Sequence, residues 1–300
     1  MTVTSTTVSD ADITPVMGGK SLKKERRWAL WGSYGALTVF TFMFLIPPIY
    51  TVTTSLKTST EISSRDGNPW LIQNPTLQNF IDLLTDDHFQ IFIWNSVKIT
   101  AVVVVVSMII SIMAAFALAR MRFWGSAALA TGVFLTYLVP ESLLFIPMFK
   151  IVGALGMMNN TWSLMFLYPT LTVPFCTWIM IGYFSSIPKE LDEAALIDGA
   201  SYPQMLIKIF IPVALPGIIA ATIFAFTVSW GQFLYPLAFL FSSDQMVLTV
   251  GIVTELIRGD VFAWGKLMAG SLLASLPPVI IYAFLMDYYI SGLTSGATKG

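Results

Sequence analysis

Six stretches of the chain run without a charged residue: 28–56, 99–119, 123–140, 151–188, 209–243 and 267–286. A helix crossing the hydrocarbon of a bilayer needs about 20 apolar residues, so each run is a candidate span. The third run is short, and its helix is predicted to continue past Glu141 towards Lys150. The fourth is too long for one span. Within it "GALGMMNN", residues 153–160, reads as a turn, with the next helix beginning near Thr161. The first run is too long for a signal peptide and lacks a small-residue cleavage site. The pattern predicts an all-α membrane protein of six transmembrane helices over residues 28–291. A Ser- and Thr-rich mobile tail (1–27) precedes them and a short tail (292–300) follows.

Composition agrees with the pattern. The chain is 56% hydrophobic and 11% charged, with a mean hydropathy of +0.75. Soluble domains are about a quarter charged, so this surface belongs in lipid. A net charge of −1 offers no basic face to nucleic acid. One cysteine, Cys176, cannot form an internal disulfide, and one histidine, His88, gives no His/Cys metal cluster.

Charge in the short loops sets the orientation. Lys20, Lys23, Lys24, Arg26 and Arg27 precede the first span, and Arg120 and Arg122 follow the second. The positive-inside rule places both sets in the cytoplasm. The intervening segment 57–98, with Asp66, Asp82, Asp86 and Asp87, then faces out. Counting onward puts 185–212 and both termini inside, and 244–266 outside. The expected location is the bacterial plasma membrane.

Four carboxylates crowd into one such loop, "SSIPKELDEAALIDGASYPQMLIKIFIP" (185–212). Ser186 can cap a helix, and Pro188 suits a first turn, where its missing N–H is no loss. Glu190, Asp192 and Glu193 then lie near the positive end of the helix dipole. Leu191, Ala194, Ala195 and Asp198 share one face at helical spacing. Gly199 is a natural stop, and Ser201 with Gln204 forms a capping-box pattern for a second helix. The prediction is a cytoplasmic pair of short helices over 186–212, joined at a glycine elbow between the fourth and fifth spans. An ordinary connecting loop is the plain alternative. Adjacent alanines on an acidic helix, suited to close approach by a partner, and a stiff elbow count against it.

This segment resembles the cytoplasmic signature of permease subunits of binding-protein-dependent ABC importers. That signature reads Glu-Ala-Ala, three residues, Gly, nine residues, Ile, one residue, an apolar residue and Pro. Glu193, Ala194, Ala195, Gly199, Ile209 and Pro212 fall in place, with Ile211 where leucine is usual. The resemblance implies that Glu190, Asp192, Glu193, Ala194, Ala195, Asp198 and Gly199 form the fitting that docks in an ATPase cleft. Residues 139–168 and the ending "SGLTSGATKG" resemble the carbohydrate-uptake branch, near the smaller maltose-permease subunit. The implied partners are a second permease subunit, two ATPase subunits that hold ATP and Mg, and an extracytoplasmic sugar-binding protein. This chain itself would bind no cofactor and catalyse no reaction. At Gly231 and Gln232 relatives commonly carry an amide and an acid, so substrate details do not transfer.

A path for substrate must be polar enough to wet. Glu141 lies inside the predicted third span, where an ionised side chain costs about 3 kcal/mol, so it faces a cavity or a partner, Lys150 among them. Trp230, Gln232 and Tyr235 gather near Gly231 and Pro236 and complete the candidate path; packing is the competing role for each. "MGGKS" (17–21) ends like a phosphate-binding loop but has Thr14 where that motif needs glycine. An ion-coupled transporter acting without an ATPase is the alternative function. It would show inverted repeats and paired intramembrane acids, and it leaves the Glu-Ala-Ala loop without a role.

Overall fold

The computed structural model describes residues 19–64, 67–121, 123–258 and 261–297. The predicted tail over residues 1–18 and the last three residues lie outside them, as do Arg65, Asp66 and Arg122. Residues 1–50 and 51–300 form separate compact units. The first carries most of helix α1 (Gly19–Ser55), which begins nine residues before the apolar run, so the stretch 19–27 is helix and not tail.

Among its described residues the second unit has helices and one two-stranded sheet. It contains α2 (Ser59–Ser63), α3 (Gln78–Leu84), α4 (Asp87–Arg120), α5 (Ser126–Tyr137), α6 (Glu141–Ala154) and α7 (Thr161–Ser186). After these come α8 (Glu190–Ile197), α9 (Tyr202–Met205), a wide π turn (Leu206–Phe210), α10 (Ile211–Val213) and α11 (Leu215–Gly231). It closes with α12 (Leu234–Phe239), α13 (Leu248–Leu256), the two-residue strands β1 (Ile257–Arg258) and β2 (Val261–Phe262), and α14 (Trp264–Ala297). The predicted tail from residue 292 is thus a continuation of α14 as far as Ala297.

Among the described residues, four helical stretches are long and apolar enough to cross a membrane: Arg27–Ser55, Asp87–Arg120, Thr161–Ser186 and Trp264–Leu285. The number rises to six if two bent pairs each count as one span. One pair is α5 with α6, bent by 94°; the other is Tyr202–Val213 with α11, bent by 82°. The expected continuous third helix through Glu141 therefore does not form. Pro140 has no N–H to donate and disfavours the helical conformation at Val139, so α5 ends and α6 starts in a new direction.

The run "AVVVVV" (101–106) would be a poor helix in water because β-branched side chains lose rotamer freedom there. In lipid the helix is the conformation that satisfies every backbone group within the segment. Asp86 starts α4 by accepting the Phe89 amide at 3.0 Å, and Arg120 sits in its last turn, where the dipole favours a cation. Helices α4 and α7 run side by side in the same direction. Ser107 and Thr172 share a buried hydroxyl hydrogen bond of 2.7 Å between them, and Ser111 donates to the Val173 carbonyl at 3.3 Å. Small polar residues of this kind let membrane helices pack closely where no hydrophobic force joins them. Helix α11 closes on the pair, with the Cys176 thiol donating to the Ala221 carbonyl at 3.4 Å.

Helices α2, α3 and α13 and the start of α14 gather at the Asp87 end of α4. Lys57 Nζ donates there to the Asn68 and Pro69 carbonyls at 2.8 and 3.0 Å. Glu61 accepts the amides of Gln73 and Asn74 at 2.9 and 3.0 Å. Those amides, with Lys57 nearby, hold the Glu61 carboxyl below its ordinary range. Lys266 on α14 reaches Asp82 on α3 at 2.8 Å and likewise lowers the carboxyl's pKa.

Candidate functional site

The first candidate site is the elbow between α7 and α11. Lys189 stands at the N-cap of α8, which ends at Asp198. Gly199 takes φ +77°. Its amide donates to the Leu196 carbonyl at 3.1 Å, and the Ala200 amide reaches back to the Ala195 carbonyl at 2.9 Å. These two bonds form a Schellman closure, which satisfies carbonyls that a helix end otherwise leaves open. Ser201 then starts α9, its amide and hydroxyl both donating to Gln204 Oε1, at 2.8 and 3.1 Å. The reading of Gly199 and Ser201–Gln204 matches this geometry. Ser186 does not cap α8: it belongs to the last turn of α7, and its hydroxyl donates to the Tyr183 carbonyl at 2.8 Å.

Of the four residues expected on one face, Leu191, Ala194 and Asp198 are exposed but Ala195 is not. Glu190, Glu193, Ala194 and Asp198 are exposed, together with Ile197, which is 86% exposed. Ala195 is buried among Phe116, Phe184, Met205 and Phe210, so the two alanines do not form a joint docking patch. Asp192 also turns inward, to within 3.6 Å of Arg120 Nη1. Arg120 carries more contacts than this pair. Its Nη2 donates to the Ile187 carbonyl at 2.6 Å, and its guanidinium carbon lies 4.8 Å from the centre of the Phe210 ring. The Arg120 and Asp192 side chains are only 4% and 19% exposed. Sequence reading used Arg120 for topology alone. The residues it meets lie 67 to 90 positions away, so no local spacing marks its role.

The second candidate site lies where α5 breaks into α6 and α11 breaks into α12. Glu141 occupies the first turn of α6, not mid-helix, and the dipole of a 14-residue helix favours its carboxylate. Gln232, the residue that ends α11, donates through Nε2 to Glu141 Oε2 at 3.3 Å. Its carbonyl accepts the Thr249 hydroxyl at 2.6 Å. Tyr235 and Tyr168 are buried in one cluster with Phe239 and Phe145. Glu141 Oε1 and Tyr235 Oη are buried and make no hydrogen bond. Rings of Tyr235, Phe239 and Phe145 stack at 5.6–6.4 Å and tie α12 to α6. Lys150, exposed nine positions along α6, forms no ion pair with Glu141.

Of the four predicted path residues, Glu141 and Gln232 are hydrogen-bonded, and Tyr235 stacks on Phe145 of the helix that Glu141 begins. Trp230 does not join them: its ring stacks on Phe226 with centroids 5.7 Å apart, and its Nε1 donates to the Ala274 carbonyl of α14 at 2.9 Å. The helix break at Gln232 sends the two sides of the "SWGQFLYP" segment in different directions.

A family profile described as "Binding-protein-dependent transport system inner membrane component" matches residues 107–295. The chain is 34% identical over 272 residues to an inner membrane ABC transporter permease protein of Escherichia coli strain K12. That match covers 90% of this chain and 96% of the relative. It is also 34% identical over 238 residues to a trehalose/maltose transport system permease protein of Thermococcus litoralis, covering 78% of this chain and 85% of the relative. Among solved structures, a bacterial ABC transporter involved in the import of the acidic polysaccharide alginate has a chain of the same fold. The TM-score is 0.78 at 22% identity, over 89% of this chain and 98% of that one.

Proposed function

This chain belongs to the binding-protein-dependent transport system inner membrane components, and we propose that it is one of two permease subunits of an ATP-driven importer for a sugar or sugar derivative. The observation that carries the proposal is the elbow. An acidic helix with an exposed outer face is closed by Gly199 and Ser201, so it is stiff, and its inner face is fastened to the helix bundle. A passive linker has no use for such stiffness. Glu190, Glu193, Ala194, Ile197 and Asp198 present the surface that docks in the ATPase cleft. Asp192 and Ala195 hold α8 to its own chain. ATP and Mg bind in the ATPase pair, and an extracytoplasmic binding protein delivers the sugar to the opposite face. Both termini and the elbow lie in the cytoplasm, by the basic residues flanking the first two spans.

The name of the trehalose/maltose relative supports a saccharide as cargo. Glu141, Gln232 and Tyr235 supply what a saccharide needs on its way through: a free carboxylate oxygen, an amide and a phenol hydroxyl, at two helix breaks. Such groups accept and donate hydrogen bonds to sugar hydroxyls without a fixed charge partner to expel. The helix breaks allow rigid segments to tilt against one another as the path opens on alternate sides.

The test is ATP hydrolysis by the assembled complex in lipid, with candidate sugars added together with the binding protein. Wild type is expected to respond to a saccharide. Glu193→Lys places a cation on the docking face, away from the Arg120 contact. It is expected to lower ATPase recruitment by about tenfold or more, because one reversed close charge pair is worth over 1 kcal/mol. Unchanged recruitment would remove α8 from the interface. Glu141→Gln keeps the shape of the path and removes its charge. Assembly is expected to be intact, with the sugar concentration for half-maximal uptake raised several-fold, as for loss of one charged hydrogen-bond acceptor. An unaltered uptake curve would place the path elsewhere.

A further inference from the structure

Arg120 is a cation buried at the point where four segments meet. It closes α4, the long central helix. Through the Ile187 carbonyl it holds the turn between α7 and α8 at 2.6 Å, and through Asp192 it holds α8 at 3.6 Å. Phe210, from the turn that follows α9, covers its guanidinium at 4.8 Å. The ring packs edge-on against both Phe116 of α4 and Phe184 of α7, at 5.1 and 5.5 Å. Removing a charge from water is expensive and is offset only by close partners, so a buried guanidinium in this position is not an idle surface residue. Its fork suits the arrangement: planar, with donors pointing in several directions, it can hold a carbonyl and a carboxylate at once, as an ammonium group cannot.

The consequence is mechanical. Helix α8 follows α7 through a turn of three residues, Ile187 to Lys189. By itself that turn would let α8 swing without moving α7. With Arg120 in place α8 is fastened at its inner face to α4, and α4 is fastened to α7 along its length through Ser107–Thr172 and Ser111–Val173. We propose that Arg120 is a positioning residue that locks α8 to the α4–α7 pair, so that a displacement of α8 reaches the membrane helices as one rigid-body motion. This rests on the reading of α8 as the ATPase-docking helix. It adds the intramolecular link by which the docking helix moves the path, whose Glu141 and Gln232 lie on segments packed against the same pair. Asp192, by the same geometry, acts through Arg120 and not on the ATPase.

The experiment compares wild type, Arg120→Gln, Arg120→Lys, Asp192→Asn and the Arg120→Gln/Asp192→Asn double variant, each as the full complex in lipid nanodiscs. One readout is sugar taken up per ATP hydrolysed in the presence of the loaded binding protein. The other is the distance distribution between spin labels at Met113 on α4 and Leu196 on α8, both exposed, with the native Cys176 fully buried. Arg120→Gln and Asp192→Asn are each expected to broaden the distribution and to lower uptake per ATP about tenfold. The double variant is expected to be no worse than Arg120→Gln alone, because the two act through one contact. Arg120→Lys should fall between, keeping charge without the fork. A purely structural role would lower the melting temperature yet leave uptake per ATP and the distance distribution at wild-type values, and that outcome overturns the proposal. If Arg120→Gln fails to assemble, Asp192→Asn decides the matter in the same way, since it leaves the Ile187 bond and the ring contact intact. If wild type recruits no ATPase subunit, the proposed function falls, while the label distances still judge the link itself.

Discussion

A Gly199→Pro complex is expected to assemble in lipid and to lose at least about tenfold of its sugar-stimulated ATP hydrolysis, through a change confined to the backbone. Gly199 sits at φ +77°, and a Cβ built there would meet nothing within 4 Å. Crowding is therefore not the cause. Proline holds φ near −65°, so the chain cannot make the left-handed turn that closes α8. It also has no N–H for the Leu196 carbonyl, whose bond of 3.1 Å is lost. The two effects together amount to about 2–4 kcal/mol against the native elbow. Helix α8 would then leave the elbow at a different angle and present its acids to the wrong part of a docking cleft. Gly199→Ala, which keeps the N–H and tolerates the turn at about 1 kcal/mol, should retain most of the activity. Hydrolysis at wild-type rates in the proline variant would show that the elbow's shape does not matter.

Gly251→Ala is expected to lower the melting temperature of the purified complex by about 5 °C or more, with reduced yield, from overpacking at one contact. Gly251 in α13 lies against the face of Phe92 in α4: a Cβ would come 2.3 Å from the ring Cδ2 and 2.5 Å from Cε2. Phe92 is 1% exposed and packed among Leu248, Ile252 and Trp230, so its ring has nowhere to turn. Pairing Gly251→Ala with Phe92→Leu vacates the volume and should recover most of the loss, measured by thermal unfolding of the double variant. An unchanged melting point in the single variant would mean that α13 can move away from α4 at no cost. The adjacent Trp230 would then also shift, because it packs in the same cluster.

The two expected results differ in how far ahead they could be read. Gly199 was recognisable from its neighbours alone: an amphipathic stretch, a glycine, then Ser201 with Gln204 three residues on. Each of those signals acts within one helical turn. The membrane runs were legible for the same kind of reason, since a bilayer tests hydrophobicity segment by segment. The break at Pro140 was half-legible; the proline was plain, but a helix in a membrane can also continue through one, as α7 does at Pro169 and Pro174. Gly251 carried no signal of its own, because the ring it accommodates comes from a helix about 160 positions earlier.

The sequence by itself therefore determined the class of molecule, the apolar segments from which its spans are built, the elbow and the family to which the elbow belongs. These depend on the solvent and on chain neighbours, and both are written locally. Only the tertiary structure decided which side of α8 faces outward, that Ala195 and Asp192 are turned in, that Arg120 joins α8 to α4 and α7, and that Gln232 meets Glu141 while Trp230 does not. The physical reason is that an acidic helix in isolation is indifferent to its own rotation. Its faces become distinct only when another helix brings a buried cation and a cluster of aromatic rings to one of them.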